Sequence, residues 1–355
     1  MRDSKGWDGK LRVGQQATIA DPDADAMEES DHSDHDHDHA APAEDAEPVE
    51  PNESDEDLLE DEEADTDEID LVHCRIKSIP ALRLERFPKL ERLGLRQNRI
   101  TRINMPSSVA ANLTELDLYD NLIAHVKGLD DFRNLASLDL SFNKIKHIKN
   151  ISHLVGLTDL YFVQNKISKI EGLEGLVKLR NLELGANRIR EIENLDTLSS
   201  LEELWLGKNK ITEMKNLGHL SNLRLISIQS NRLTSLSGLS SLKSLEELYV
   251  SHNAITDLSG LESNTKLRVL DFTNNQVSKL EHLSHLTDLE ELWASNNQLS
   301  SFEEVERELK DKKNLQTVYF EGNPLQKKGP AVYRNKVRLA IPHIMQIDAT
   351  YVRVS

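Results

Sequence analysis

Residues 187–209 read Asn187-Arg188-Ile189-x-x-Ile192-x-x-Leu195-x-x-Leu198-x-x-Leu201-x-x-Leu204-x-Leu206-x-x-Asn209, apolar at nearly every third place and closed by an asparagine. The asparagine recurs at Asn121, Asn143, Asn165, Asn187, Asn209, Asn231, Asn253, Asn275 and Asn297, always 22 residues apart. Each ends an apolar-x-apolar-x-x-Asn phrase, as in Leu116-x-Leu118-x-x-Asn121 and Leu138-x-Leu140-x-x-Asn143. A fixed period of this size with leucines at fixed offsets marks a leucine-rich-repeat solenoid, an α/β repeat whose units pack only on their neighbours. It also argues against an enzyme active site.

The register runs on at both ends. Leu93-x-Leu95-x-x-Asn98 lies upstream, and Ile69-x-Leu71-x-x-Cys74 carries cysteine in the asparagine place. Downstream, Val318-x-Phe320-x-x-Asn323 follows a longer, more helical insert around residues 302–313, which makes about twelve units. The Leu-x-Leu segment reads as a short strand of a parallel concave sheet. Twenty-two residues leave little room for a helix on the convex side, so short 3₁₀ turns or extended chain are expected there. A column of asparagine amides can satisfy buried backbone groups between units. After Asn323-Pro324-Leu325, a helix over 333–339 and an extended tie over 341–348 form a C-terminal cap that hides the last leucine layer. The expected domains are an acidic leader over 1–67, the solenoid over 68–322 and the cap over 323–355.

Charge separates the leader from the body. Residues 21–70 hold 25 Asp and Glu and no Lys or Arg. Residues 71–355 carry 39 basic and 34 acidic side chains, so the body is about +5 within a chain of −18. The leader has too few aliphatic residues to offset its chain entropy and reads as disordered. Its Asp31–His39 tract alternates His and Asp, but alternating ligands without fixed geometry do not make a structural metal site. Ser30, Ser33 and Ser54 sit among acids, as phosphoacceptors of an acidophilic kinase do, and a small basic patch surrounds Trp7. No cofactor or metal site is expected, and no apolar run suits a membrane. One cysteine, Cys74, excludes an internal disulfide framework and favours the nucleus or cytoplasm.

Stacked strands place their middle residues in one outward row: Asp139, Tyr161, Glu183, Trp205, Ser227, Tyr249, Asp271, Trp293 and Tyr319. Tyr161, Trp205, Tyr249 and Trp293 fall two repeats apart, with Glu183, Ser227 and Asp271 between them. The adjoining row includes Glu203, Glu247 and Glu291. Simple copying would give one residue throughout, so the alternation points to a protein partner gripped by aromatic anchors. The basic Arg99, Lys144, Lys166, Arg188, Lys210 and Arg232 follow directly after the asparagines, off this face. An acidic concave face disfavours a nucleic-acid partner and suits a protein surface rich in Lys and Arg.

An uninterrupted 22-residue series closed by Gly322-Asn323-Pro324-Leu325, Tyr333-Arg334, Pro342 and Ile347-Asp348 resembles the leucine-rich-repeat regulatory subunit of protein phosphatase 1. That resemblance covers about residues 68–355. It implies a non-catalytic scaffold, monomeric on its own, that grips the phosphatase catalytic subunit and admits a further phosphatase inhibitor protein. It also implies roles in phosphatase biogenesis, inhibition and chromosome segregation, in nucleus and cytoplasm. Carried over by register, the gripping residues are Asp139, Tyr161, Glu183, Trp205, Asp271, Glu291, Trp293 and Tyr319, with Tyr249 in the same row. Two other readings stand beside it: an acidic nuclear leucine-rich protein that binds histones, and a ribonucleoprotein scaffold.

Overall fold

The structure, a computed structural model, describes Asp55 and residues 57–352. The expectations for the Asp31–His39 tract, for Ser30, Ser33 and Ser54, and for the patch around Trp7 lie outside the described residues.

Twelve three-residue strands pair in parallel in strict chain order, from Glu68–Asp70 (rung 1) to Thr317–Tyr319 (rung 12). The register does not slip: Leu182 faces Leu160 on one side and Leu204 on the other. The first leucine of each phrase points inward with its neighbours into one continuous core. Strands stop after three residues because the next turn is left-handed. The residue before the asparagine has positive φ in rung after rung: Asp120 (55°), Phe142 (56°), Ala186 (54°), Lys208 (55°), His252 (55°). That conformation costs roughly 1–2 kcal/mol for a residue with a Cβ. Each such N–H is bonded to the following rung, however, as Phe142 N donates to Val163 O at 2.7 Å and Ala186 N to Gly207 O at 2.8 Å.

The turn swings the asparagine side chain into the core. Asn187 Nδ2 donates to Phe162 O (2.8 Å) in the preceding rung and to Leu184 O (3.1 Å) in its own. Its Oδ1 accepts from Ile167 N (3.0 Å) of the preceding rung. The same bonds recur from Asn98 to Asn323. In rung 1, among the described residues, the Cys74 Sγ donates to Val72 O at 3.5 Å and reaches no further.

The convex side carries few helices. Single turns such as Leu154 N to Ile151 O and Leu157 N to Leu154 O do not propagate, so the expected 3₁₀ side is mostly isolated turns and extended chain. Helices appear where a unit is longer, at Ser107–Ala110 and Phe302–Leu309. The second is capped by Ser301, whose Oγ accepts from Glu304 N (3.2 Å). Three residues four apart then close over the rung 10 coil. Glu304 Oε2 accepts from Leu280 N (3.0 Å), Glu308 Oε2 accepts from Leu283 N (3.0 Å), and Lys312 Nζ donates to Leu283 O (2.6 Å) and Leu286 O (2.9 Å). Burial pushes the Lys312 amine down to about 8.

Both ends differ in extent from the sequence reading. Asp57–Leu59 already forms a 3₁₀ turn with Leu59 1% exposed in the core, ahead of residue 68. The cap helix spans Pro330–Ala340, and the tie narrows to Gln346–Ile347, which pairs with rung 12 and turns back through Thr350–Tyr351. Asp348 follows the tie opposite Tyr319 and closes the sheet end: its Oδ1 accepts from Phe320 N (2.9 Å), which in earlier rungs goes to the next strand's carbonyl, and from Glu321 N (3.0 Å), and Tyr333 Oη donates to its carboxylate at 3.0 Å.

Replacing Asn187 by alanine orphans the buried Ile167 N–H, a group that costs about 1–3 kcal/mol when unpaired, and leaves Phe162 O and Leu184 O with one amide donor each, from Asn165 and Asn209. Urea unfolding of Asn187→Ala is expected to show a loss of about 2 kcal/mol or more, whereas the outward-pointing Arg188→Ala loses little.

Candidate protein-binding face

Alternation turns the last residue of each strand, the middle one of the Leu-x-Leu phrase, away from the core, and the register aligns those residues into a column. Asp139 faces Tyr161, Tyr161 faces Glu183, Glu183 faces Trp205, and further along Asp271 faces both Tyr249 and Trp293, which faces Tyr319. All the row residues singled out from the sequence are thus brought together, with Glu291 in the flanking column beside Val269.

They are not equally available. Asp139, Tyr161, Glu183, Trp205, Glu291, Trp293 and Tyr319 are half-buried, but Tyr249 is 3% exposed and Asp271 5%. Those two do not stand out from the sheet as expected. The rings of Tyr249 and Trp293 stand two strands apart yet meet edge-on at 6.3 Å, on either side of Asp271 in the register, and Trp293 continues to Tyr319 at 5.7 Å. Asp271 accepts from Thr273 N (2.9 Å), and burial raises its carboxyl above the usual range. Part of the aromatic alternation is therefore internal packing: the smaller residue between two rings gives them room to close.

The aromatics also hold the flanking carboxylates. Trp205 Nε1 donates to Glu203 Oε2 (3.4 Å), Tyr249 Oη to Glu247 Oε2 (2.6 Å) and Trp293 Nε1 to Glu291 Oε2 (3.0 Å). Each Glu-Leu-aromatic triplet presents a fixed carboxylate beside a ring. Burial, with Asp159 adding, raises the Tyr161 hydroxyl, which accepts from Asn181 Nδ2 at 3.3 Å. Tyr319 Oη accepts from Gln346 Nε2 (2.9 Å), which joins the cap to this face.

At the N-terminal end the face is partly neutralised by a residue the sequence reading did not single out. Arg96 lies two residues past the middle position, which by alternation is the same face. Its guanidinium pairs with Asp117 and, at 3.1 Å, with Asp139, and sits 4.6 Å over the Tyr119 ring. Tyr119 in turn packs on Phe142 at 4.7 Å. Burial first, then the neighbouring Asp139, pushes the Asp117 carboxyl up to about 7 despite the arginine.

The edge where the chain enters the strands carries a second alternation. Arg180 forks onto Glu202 (2.9 and 3.0 Å), Arg224 onto Glu246 (3.1 and 2.8 Å), and Arg268 onto Glu290 (2.9 and 2.8 Å). These arginines sit on the even rungs and the glutamates on the aromatic ones, so the chain repeats every two rungs as well as every one.

Comparison with known proteins fits this geometry. A family model described as "Leucine Rich repeats (2 copies)" matches residues 177–220, 221–263, 243–285 and 265–311, and one described as "Leucine rich repeat" matches 88–145 and 133–189. Together they span well over half of the chain. It belongs to the leucine-rich-repeat family. Protein phosphatase 1 regulatory subunit SDS22 of Schizosaccharomyces pombe is 57% identical over 82 residues, 23% of this chain and 24% of that protein. The Saccharomyces cerevisiae protein of the same name is 46% identical over 74 residues, 21% and 22% of the two chains. Human protein phosphatase 1 regulatory subunit 7 is 59% identical over 46 residues, 13% and 12%. The matched stretch spans about a quarter or less of these relatives. The resemblance read from the repeats thus has sequence relatives behind it. Among solved structures, an internalin from Listeria monocytogenes superposes with TM-score 0.63 and 26% identity, covering 81% of this chain and 87% of that one. A Leptospira interrogans leucine-rich-repeat protein gives 0.59 and 27%, covering 75% and 74%.

The Asp117 carboxyl keeps its proton to about pH 7 when folded but only to roughly 3.9 when unfolded. The folded state therefore binds more protons in that window, and stability falls as pH rises through it. In urea titrations, Asp117→Asn is expected to gain stability over the parent chain between about pH 5 and pH 8; parallel pH profiles would show that Arg96 satisfies the charge fully.

Proposed function

We propose that this chain is a non-catalytic regulatory subunit that seats the catalytic subunit of protein phosphatase 1 on its concave face. The observation that carries the proposal is the column of half-buried aromatics flanked by ring-held carboxylates, running from Asp139 to Tyr319. Aromatic rings fixed by packing contribute contact area at low entropic cost, and preset carboxylates favour a partner patch of Lys and Arg. The names of the sequence relatives supply the partner. We extend the proposal to control of that phosphatase in chromosome segregation, in nucleus and cytoplasm.

Tyr249 and Asp271 enter it as support: they hold Trp293 in place and present little surface of their own. The contact residues proper are then Asp139, Tyr161, Glu183, Trp205, Glu291, Trp293 and Tyr319.

Trp293→Ala combined with Glu291→Ala is expected to weaken capture of the purified catalytic subunit by about 30-fold or more in calorimetric titration, the scale of ~2 kcal/mol for a hot spot. The same variant should lose only modestly in thermal stability, because Trp293 makes edge-on ring contacts and no core contact. Undiminished capture by the folded double variant would remove the concave face from the mechanism.

A further inference from the structure

We propose that the edge where the chain leaves the strands, over rungs 4–8, binds an acidic, extended segment of a partner protein, separately from the concave face. Lys144, Lys166, Arg188, Lys210 and Arg232 occupy the same place in five consecutive rungs. Their backbones are locked in register: Lys144 N donates to Ile123 O (2.8 Å), Lys166 N to Ile145 O (2.9 Å), Arg188 N to Ile167 O (2.8 Å), Lys210 N to Ile189 O (2.8 Å) and Arg232 N to Ile211 O (2.8 Å). The asparagine before each, buried in four and half-buried at Asn231, and the buried isoleucine or leucine after it force the basic side chain outward.

The row is one of three adjacent rows with a single sign of charge. Over the same rungs, the left-handed residues before the asparagines are Phe142, Gln164, Ala186, Lys208 and Ser230. The residues three after the asparagines are Lys146, Ser168, Arg190, Thr212 and Thr234. None is acidic. Among the described residues, none of the five row cations makes an ion pair. Stacked roughly 4.8 Å apart, they lie well inside the Debye length of about 8 Å, so each repels the next.

The opposite edge shows that this repulsion is not an inevitable result of repeat copying. There Arg180, Glu202, Arg224, Glu246, Arg268 and Glu290 alternate in sign and pair off. A row kept uniformly positive beside a row that neutralises itself is complementary to an outside polyanion. The five cations span roughly 19 Å, the reach of about six extended residues.

One feature selects a polypeptide. Single-stranded nucleic acids need aromatic platforms along their path, and among these rows Phe142 is the lone aromatic. At the rung 3–4 end, Leu122 and Phe142 are 38% and 39% exposed. They offer an apolar anchor, so the segment should bear a large apolar residue ahead of its acidic run.

The test titrates the full-length protein into a fluorescein-labelled synthetic peptide, one phenylalanine followed by a run of glutamates. Binding is expected to weaken as salt rises from about 50 to about 200 mM. It should fall roughly tenfold or more in Lys166→Glu/Arg188→Glu/Lys210→Glu, and stay unchanged in Glu291→Ala/Trp293→Ala. Thermal unfolding checks the reversed variant, and Lys166→Gln/Arg188→Gln/Lys210→Gln replaces it if it does not fold. Equal binding by the parent and the row variant overturns the proposal. So does tighter binding of a single-stranded oligonucleotide of equal charge that is lost in the same variant.

Discussion

One primary amide per rung holds the array together. The asparagine side chain donates to a carbonyl of the preceding rung and to one of its own, and accepts from an N–H of the preceding rung. Asparagine supplies both functions from a short stem. Aspartate lacks the donor and leucine lacks both. The left-handed residue beside each asparagine is the conformational cost of aiming that amide inward, and its own N–H, bonded to the next rung, offsets that cost. Leucine packing supplies the bulk of the hydrophobic driving force, but the amide fixes which leucine faces which.

Because that register does not slip, every outward position becomes a column, and the columns differ. The middle column is aromatic and acidic, closes on itself around Asp271, and is crossed near its start by the Arg96 ion cluster. The entering edge alternates Arg and Glu in bidentate pairs. The leaving edge is basic and unpaired among the described residues. One periodic backbone thus presents three electrostatically distinct surfaces. Exposed ion pairs contribute little to stability singly, so the entering edge serves chiefly to keep its charge neutral.

The strand positions, the asparagine ladder and the composition of the concave column are legible in the sequence because they depend on period alone. What depends on contacts between rungs is not. Tyr249 reads as outward, and so it is, yet Trp293 two rungs away covers it. Arg96 escapes notice because it lies one alternation past the position that the leucine phrase marks. Glu304, Glu308 and Lys312 sit in an insert that breaks the period, and only the helix and the turn after it place all three over the rung 10 coil. Leu59 lies inside an acidic run whose composition argues against burial, and one aliphatic side chain there is enough to dock.

The asparagine amide has a direction. In each rung it reaches back to the rung before, and nothing in it waits for a rung still to come. A ribosome releases the chain in that same order, so each new coil emerges with its acceptor and donor already standing. At the end, the Asp348 carboxylate accepts the Phe320 N–H that earlier rungs pass to the next strand's carbonyl, and the Glu321 N–H with it, and a carboxylate has no N–H to pass on. The ladder is thereby given a stop codon of its own, written in hydrogen-bond chemistry.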